Sequence, residues 1–211
     1  MSDLVFYTNP MSRSRIVRWM LEEIGAPYDT AVLDYGADMN TPDYLALNPM
    51  GKVPAITHRG TVVTETAAIC CYLAEVFPEA HLAPPPGSPD RGAFLRWMFF
   101  GAGPVDAAVT NASFGWVPES PRDRGRLGYG SLERVADVLA ARLAEGPWLT
   151  GDTFSAVDVF LGAQIVWGRD FGEMPDRPGF AAYAERIKAR PAALRANEID
   201  DALMRNAAPH G

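Results

Sequence analysis

Three short segments of the chain carry side chains able to do chemistry. The first is Tyr7-Thr8-Asn9-Pro10-Met11-Ser12-Arg13-Ser14. An apolar run stops at Asn9-Pro10 and helical periodicity begins near Ser12, so hydroxyls reach a helix N-terminus whose first N–H groups lack internal partners. Either Tyr7 or Ser12 could donate to an anion there. A thiolate in that place would gain one hydrogen bond of about 1.5–3 kcal/mol and a dipole contribution of up to about 1 kcal/mol. Lowering a thiol pKa from about 8.5 to near 6.5 takes roughly 2.7 kcal/mol, which the two together cover. The second segment is Val53-Pro54. An X–Pro bond has ready access to cis, and a cis bond would turn the Val53 backbone outward at the sheet edge, leaving its N–H and C=O to pair with an extended, peptide-like ligand. The third is Thr64-Glu65-Thr66, where a strand runs into a helix. The N–H and hydroxyl of Thr66 could hold a carboxylate, while Glu65 could accept from an ammonium. Each segment alone also has a plainer reading: Ser12 and Thr66 as helix caps, Pro54 as a trans proline in an ordinary strand.

The elements that must position these residues follow from local pattern. Leu4-Val5-Phe6-Tyr7 reads as a buried strand, and from Ser12 the residues Ile16, Val17, Met20, Leu21 and Ile24 recur at helical spacing until Gly25 and Pro27 stop the run. Thr30 to Leu33 makes a second strand. Thr41-Pro42-Asp43 caps one helical turn through Leu47, and strands at Val53–Ile56 and Thr61–Val63 are joined at His58-Arg59-Gly60 as a hairpin. A helix from Thr66 carries Ile69, Tyr72, Leu73, Val76 and Phe77, which completes the order βαβ, connection, ββα. The proline-rich stretch His81 to Pro89 cannot continue a helix and reads as a linker. Beyond it only helical stretches are expected: Asp90 to Ser113, Arg122 to Glu145, Ser155 to Trp167, and Phe180 to Met204 broken at Pro191. Ser155-Ala156-Val157-Asp158 matches a capping box, with a structural role. The expected domains are 1–80, a linker at 81–90 and an all-helical 91–211.

Composition narrows the function classes. The 211 residues, 48% of them hydrophobic, suit one large or two small globular domains and argue against disorder. With 19 basic against 26 acidic residues and a net charge of −7, no broad cationic face is available for phosphates, so nucleic acid is not an expected partner. Cys70 and Cys71 are neighbours in an apolar run and read as core thiols rather than as a disulfide or metal ligands. His58, His81 and His210 fall in the hairpin, the linker and the tail without ligand spacing, so no metal is expected. The N-terminus lacks a basic segment followed by an apolar one, and no 18 uncharged apolar residues run together; a soluble cytoplasmic protein without membrane contact is the expectation.

Taken in order, the segments resemble one family. Tyr7-Thr8-Asn9-Pro10-Met11-Ser12, Asn48-Pro49-Met50-Gly51-Lys52-Val53-Pro54-Ala55-Ile56, Thr64-Glu65-Thr66-Ala67-Ala68-Ile69 and the cap Phe154 to Asp158 are similar to those of the cytosolic glutathione transferases, of a bacterial Ser- or Tyr-type, across nearly the whole chain. The resemblance implies an α/β thioredoxin-like N-terminal domain followed by an all-α bundle. It implies Pro54 as a cis-proline, Val53 pairing its backbone with the cysteinyl unit of glutathione, and Glu65 with Thr66 as the γ-glutamyl site. Lys52 would meet the glycyl carboxylate, with Asn40 as a weaker candidate at that end. The implied reaction is attack of the glutathione thiolate, supplied as cosubstrate, on a small hydrophobic electrophile. Ser12 is the preferred activator and Tyr7 the alternative, with Asn9, Ser14 or backbone amides behind them. The absence of Cys from this segment argues against thiol–disulfide exchange. The electrophile site would lie between the domains, near Met11, Trp97, Phe100 and Phe114, and the enzyme would be a homodimer in which Asp106 reaches a neighbour's ligand. Two other readings share the scaffold: a non-catalytic glutathione-binding or interaction protein, and a glutathione-dependent isomerase or dehalogenase.

Overall fold

The computed structural model describes residues 2–206, so His210 lies outside the described residues. The chain forms two compact units, Met1–His81 with Ala189–Gly211, and Leu82–Lys188.

The first unit is built on a four-stranded mixed sheet of order β2-β1-β3-β4. The strands are β1 (Leu4–Thr8), β2 (Asp29–Val32), β3 (Ala55–His58) and β4 (Thr61–Thr64). β2 runs parallel to β1, whereas β1–β3 and β3–β4 are antiparallel. Arg59 and Gly60 join the last pair as a two-residue turn with φ of 50° and 82°, the positive values that a tight hairpin of this hand requires. Helix α1 (Ser14–Ile24) connects β1 to β2 and ends as its composition dictates: Gly25 adopts φ 67° and returns its N–H to the Leu21 carbonyl. Helix α2 (Pro42–Leu47) starts at Thr41, whose side chain accepts from the Tyr44 N–H. Helix α3 (Thr66–Val76) buries Ile69, Cys70 and Leu73. Burial pushes the Cys70 thiol well up, and Cys71 beside it is half-buried; neither is in a disulfide.

The second unit is helical: α4 (Asp90–Phe100), α5 (Asp106–Ser113), α6 (Pro121–Arg126), α7 (Leu132–Ala144), α8 (Ala156–Asp170) and α9 (Phe180–Lys188). Of two expected long helical stretches, Asp90 to Ser113 is helical throughout but not uniformly α, and Arg122 to Glu145 is corrected. Between α4 and α5 the backbone widens into a π-helical turn over Gly101–Val105, which holds Pro104, a residue without the N–H that an α-helical turn needs. The stretch from Arg122 to Glu145 is broken after Arg126; Gly130 takes φ 69°, and Ser131 then caps α7 by accepting from the Arg134 N–H. Helix α8 is buried on nearly all sides, and a Cβ at Gly162 would stand 2.5 Å from Ile187 Cδ1 and 2.7 Å from the Tyr183 hydroxyl, so a larger residue there would displace both α9 side chains. Its capping box forms as expected: Ser155 and Asp158 bond reciprocally, while Asp158 Oδ1 accepts from the Leu149 N–H at 2.9 Å and the Tyr183 hydroxyl at 2.8 Å.

Helix α10 (Pro191–Asn206) belongs to the first unit, not to the helical one. It lies against α1 through three ion pairs, Arg15–Asp201, Arg18–Asp200 and Glu22–Arg195, and Arg190 just before it adds a fourth with Glu23. Positive charge on the first half of α1 meets negative charge on the end of α10, and the reverse holds at the other end, which sets the two helices antiparallel. Arg18, on this amphipathic helix, is 2% exposed and also stacks over Phe6 and Tyr28.

Candidate functional site

Strand register brings the three segments together. Tyr7 on β1 stands opposite Ala55 on β3, and Ala55 opposite Thr64 on β4. The turn after Thr8, the Val53-Pro54 bond and Glu65-Thr66 therefore all leave the sheet at the same end.

The Val53–Pro54 peptide bond is cis. Pro54 is buried and Val53 half-buried, and among the described residues no protein group bonds the Val53 N–H or C=O. The position differs from the expectation in one respect: β3 is flanked by β1 and β4, so these free groups lie at the end of an interior strand rather than along a lateral edge. Any strand-like pairing with a ligand is confined to this one residue. The loop before it is firmly held, because the Lys52 carbonyl accepts from the Tyr44 hydroxyl at 2.6 Å and from Asn48 Nδ2 at 2.7 Å. Burial pushes the Tyr44 phenol up, which keeps it protonated and donating. Asn48 also accepts from the Met50 N–H, an Asx turn that Asn-Pro-x-Gly announces in sequence; no local signal marked Tyr44.

The Lys52 side chain is exposed and forms no ion pair among the described residues. Asn40 ends a 3₁₀ turn, donates from Nδ2 to the Gly36 carbonyl, and sets its Oδ1 against Gly51. Lys52 and Asn40 thus share a neighbourhood, although Asn40 is committed to its own loop.

Glu65 is exposed, with φ 66° and ψ 118°, a conformation that non-glycine residues seldom adopt. Its carbonyl accepts from the Ile69 N–H to start α3, and its side chain does no capping. Backbone strain of this kind costs of order 1–3 kcal/mol and gathers at ligand sites. Thr66 follows as the first residue of α3, where N–H groups are free of intrahelical bonds.

At the β1–α1 turn the candidates separate. Tyr7 points to the face of the sheet opposite Phe6, with its ring 5.8 Å from Tyr44. Ser12 sits in the turn itself. Its Oγ lies 2.7 Å from the Asn9 carbonyl and 2.8 Å from Ser14 Oγ, and it accepts from the Ser14 N–H at 3.0 Å. Asn9, 7% exposed, ties the turn together by donating to the Leu33 carbonyl and accepting from the Met11 N–H.

Of the residues expected around an electrophile, Met11 belongs to the first unit and is 76% exposed. In the second unit Trp97 is buried edge-on to Phe100, whereas Phe114 is exposed and stacked on Trp116 at 4.9 Å. A cavity of about 110 Å³ adjoins that stack, lined by Ala108, Trp116, Arg124 and Tyr129 among others. Asp106 opens α5. No group of three or more metal-ligating side chains occurs among the described residues, and none of the described helices is long and apolar enough to cross a membrane. His58 is buried and bonds the Tyr72 hydroxyl at 3.0 Å through Nδ1, with burial lowering its pKa.

A mixed four-stranded sheet with a cis-proline before β3 and a helical second unit defines a thioredoxin-like protein with a helical C-terminal bundle. Comparison with known proteins agrees. Residues 10–76 match the family model for the glutathione S-transferase N-terminal domain, and residues 106–186 that for its C-terminal domain. A glutathione transferase structure from Methylococcus capsulatus is 33% identical, with a TM-score of 0.77 over 94% of this chain and 99% of its own. The theta class glutathione S-transferase of Xanthomonas axonopodis pv. citri, solved with glutathione bound, is 30% identical, with a TM-score of 0.73 over 93% and 97%. The disulfide-bond oxidoreductase YfcG of Escherichia coli is 28% identical over 91% of this chain and 92% of its own. The chain belongs to the glutathione S-transferase family.

Proposed function

We propose that the protein is a glutathione transferase that conjugates the thiolate of bound glutathione to small hydrophobic electrophiles. The observation that carries this reading is the unpaired N–H and C=O of Val53 beside the cis bond, at the same sheet end as Glu65-Thr66 and the Ser12 turn. A γ-glutamyl tripeptide has a matching group for each: a peptide unit for Val53, an ammonium and carboxylate for Glu65 and Thr66, and a terminal carboxylate for Lys52, with Asn40 alongside. Its sulfur then points to the start of α1, where Ser12 donates to the thiolate and Tyr7 is the alternative donor. No metal enters this chemistry. The reading places the glutathione site in residues 1–80, and the electrophile's surface on the helices beyond the 81–90 linker, in a cytoplasmic homodimer.

The test is turnover of a generic chloronitroarene with glutathione, run beside reduction of a glutathione mixed disulfide. Conjugation above background with little disulfide reduction is expected, since the turn carries no cysteine. Tight glutathione binding with neither activity would favour a binding protein instead.

Two substitutions probe the site. Glu65→Ala should weaken glutathione binding by about 1.5–3 kcal/mol, the range for a hydrogen bond to a charged group. Calorimetry measures it, and unchanged affinity would remove the γ-glutamyl assignment. Ser12→Ala should leave affinity nearly intact while raising the pKa of the bound thiol, read from the ultraviolet thiolate band as pH is varied. An unchanged midpoint would move the donor role to Tyr7.

A further inference from the structure

The cavity of about 110 Å³ in the helical unit lies between α5, the loop at 114–118, α6 and the start of α7. Its polar lining includes donors that the protein leaves without acceptors. Asn111 Nδ2 donates to the Tyr129 hydroxyl at 2.8 Å, and the phenol's own proton has no acceptor among the described residues. Arg124 gives its Nε to the Pro118 carbonyl at 3.2 Å, which holds the guanidinium at the wall, and no described residue bonds its terminal nitrogens. Ser131 accepts from the Arg134 N–H, and its hydroxyl proton is likewise unclaimed among the described residues. A hydroxyl offers one proton and a guanidinium five, so these groups together call for an acceptor-rich ligand. The remaining lining is apolar, with Ala108 and Ala112 on α5 and the Trp116 indole, which Phe114 backs as a stacked ring.

We infer that this cavity binds a small aromatic carboxylate of the benzoate kind. The carboxylate takes the two terminal nitrogens of Arg124 as a bidentate pair, and the Tyr129 hydroxyl donates to it as well. The ring lies on Ala108 and Ala112 beside Trp116, where a flat apolar face meets small side chains and an indole. The volume suits one ring, since a closed apolar cavity of about 150 Å³ accepts benzene, and the exposed Arg124 puts the mouth of this one at the surface. Glu133 lines the same cavity and is exposed, so its charge disfavours more highly charged anions such as aryl phosphates and selects a monoanion. Every group involved belongs to residues 108–133, within the second unit, so the inference goes beyond the glutathione reading and does not depend on it.

The experiment titrates the full chain, without glutathione, by calorimetry and tryptophan fluorescence. The probes are benzoate, benzamide, acetate and phenyl phosphate. Saturable benzoate binding at millimolar concentration is expected, with benzamide, which lacks the charge, and acetate, which lacks the ring, each weaker by about tenfold or more. Arg124→Gln should weaken benzoate by about tenfold, Arg124→Lys by less, and Tyr129→Phe by about threefold. Ala112→Leu fills the apolar floor and should abolish binding while leaving the charges in place. Urea unfolding shows that each variant is folded, and two independent substitutions, one of charge and one of volume, keep the test open if either variant is unstable. The inference is overturned if benzoate does not saturate the wild type, if benzamide binds as tightly as benzoate, or if Arg124→Gln and Ala112→Leu both leave benzoate affinity unchanged. Phenyl phosphate binding about tenfold more tightly than benzoate would also overturn it, by reassigning the donors to a phosphate. Because glutathione takes no part in these titrations, their failure leaves the proposed function standing, and the absence of glutathione binding would leave this site untouched.

Discussion

Asp158→Ala should cost about 3–7 kcal/mol of stability at pH 5, read from urea unfolding. Asp158 is fully buried, and its oxygens accept from the Leu149 N–H, the Tyr183 hydroxyl and the Ser155 N–H. Truncation removes an N-cap interaction of about 1 kcal/mol and leaves two buried donors unmatched at about 1–3 kcal/mol each. The pH dependence supplies a sharper check. Burial pushes the Asp158 carboxyl up to about 6, against about 3.9 for an unfolded aspartate. Between those values the folded state holds the proton more tightly than the unfolded one, so the group's contribution is complete below about pH 4 and is lost as pH rises through 6. The penalty of Asp158→Ala should accordingly be about 1 kcal/mol smaller at pH 7 than at pH 5. A penalty that instead grew with pH would mean that the hydrogen bonds to the carboxylate outweigh its desolvation.

The second large effect is at the seam between α1 and α10. Asp200→Ala should destabilise the protein by about 3–5 kcal/mol, because it strands the Arg18 guanidinium, 2% exposed, without its carboxylate. The native pair is itself far from ideal. It rests on a single 3.2 Å contact, and Arg18 Nη2 and Asp200 Oδ2 have no hydrogen-bond partner among the described residues. Burial raises the Asp200 carboxyl despite Arg18 beside it, which says that desolvation is incompletely offset. Replacing both members by apolar residues of similar volume, Arg18→Met with Asp200→Leu, should therefore recover most of the loss and end near or above wild-type stability. Arg18 also donates to the Tyr28 hydroxyl and Thr30 Oγ1, so recovery measures the pair against those bonds as well. A double variant as unstable as Asp200→Ala would show that the guanidinium is required for its other contacts.

Glu65 and Ser12 illustrate how far the candidate site could be read in advance. The motif order placed both near a ligand, yet the positive φ of Glu65 and the sharing of the Ser12 proton between Asn9 and Ser14 depend on backbone geometry that no residue type announces. The support of the Lys52 carbonyl by Tyr44 was likewise invisible, since it needs α2 folded back over the loop.

Sequence alone determined whatever is decided within a few residues: the apolar run of β1, the apolar face of α1, the stop at Gly25, the capping box at Ser155 and the break before Pro191. Hydrogen bonds and side-chain periodicity inside one turn carry those choices. Tertiary structure alone decided what depends on distant partners: β3 as an interior strand, α10 as part of the first unit, and Arg18 as a buried cation whose carboxylate lies 182 residues away. A charged residue on an amphipathic helix looks the same in sequence whether it faces water or another helix, because its cost is set by the opposite charge that the fold brings to it.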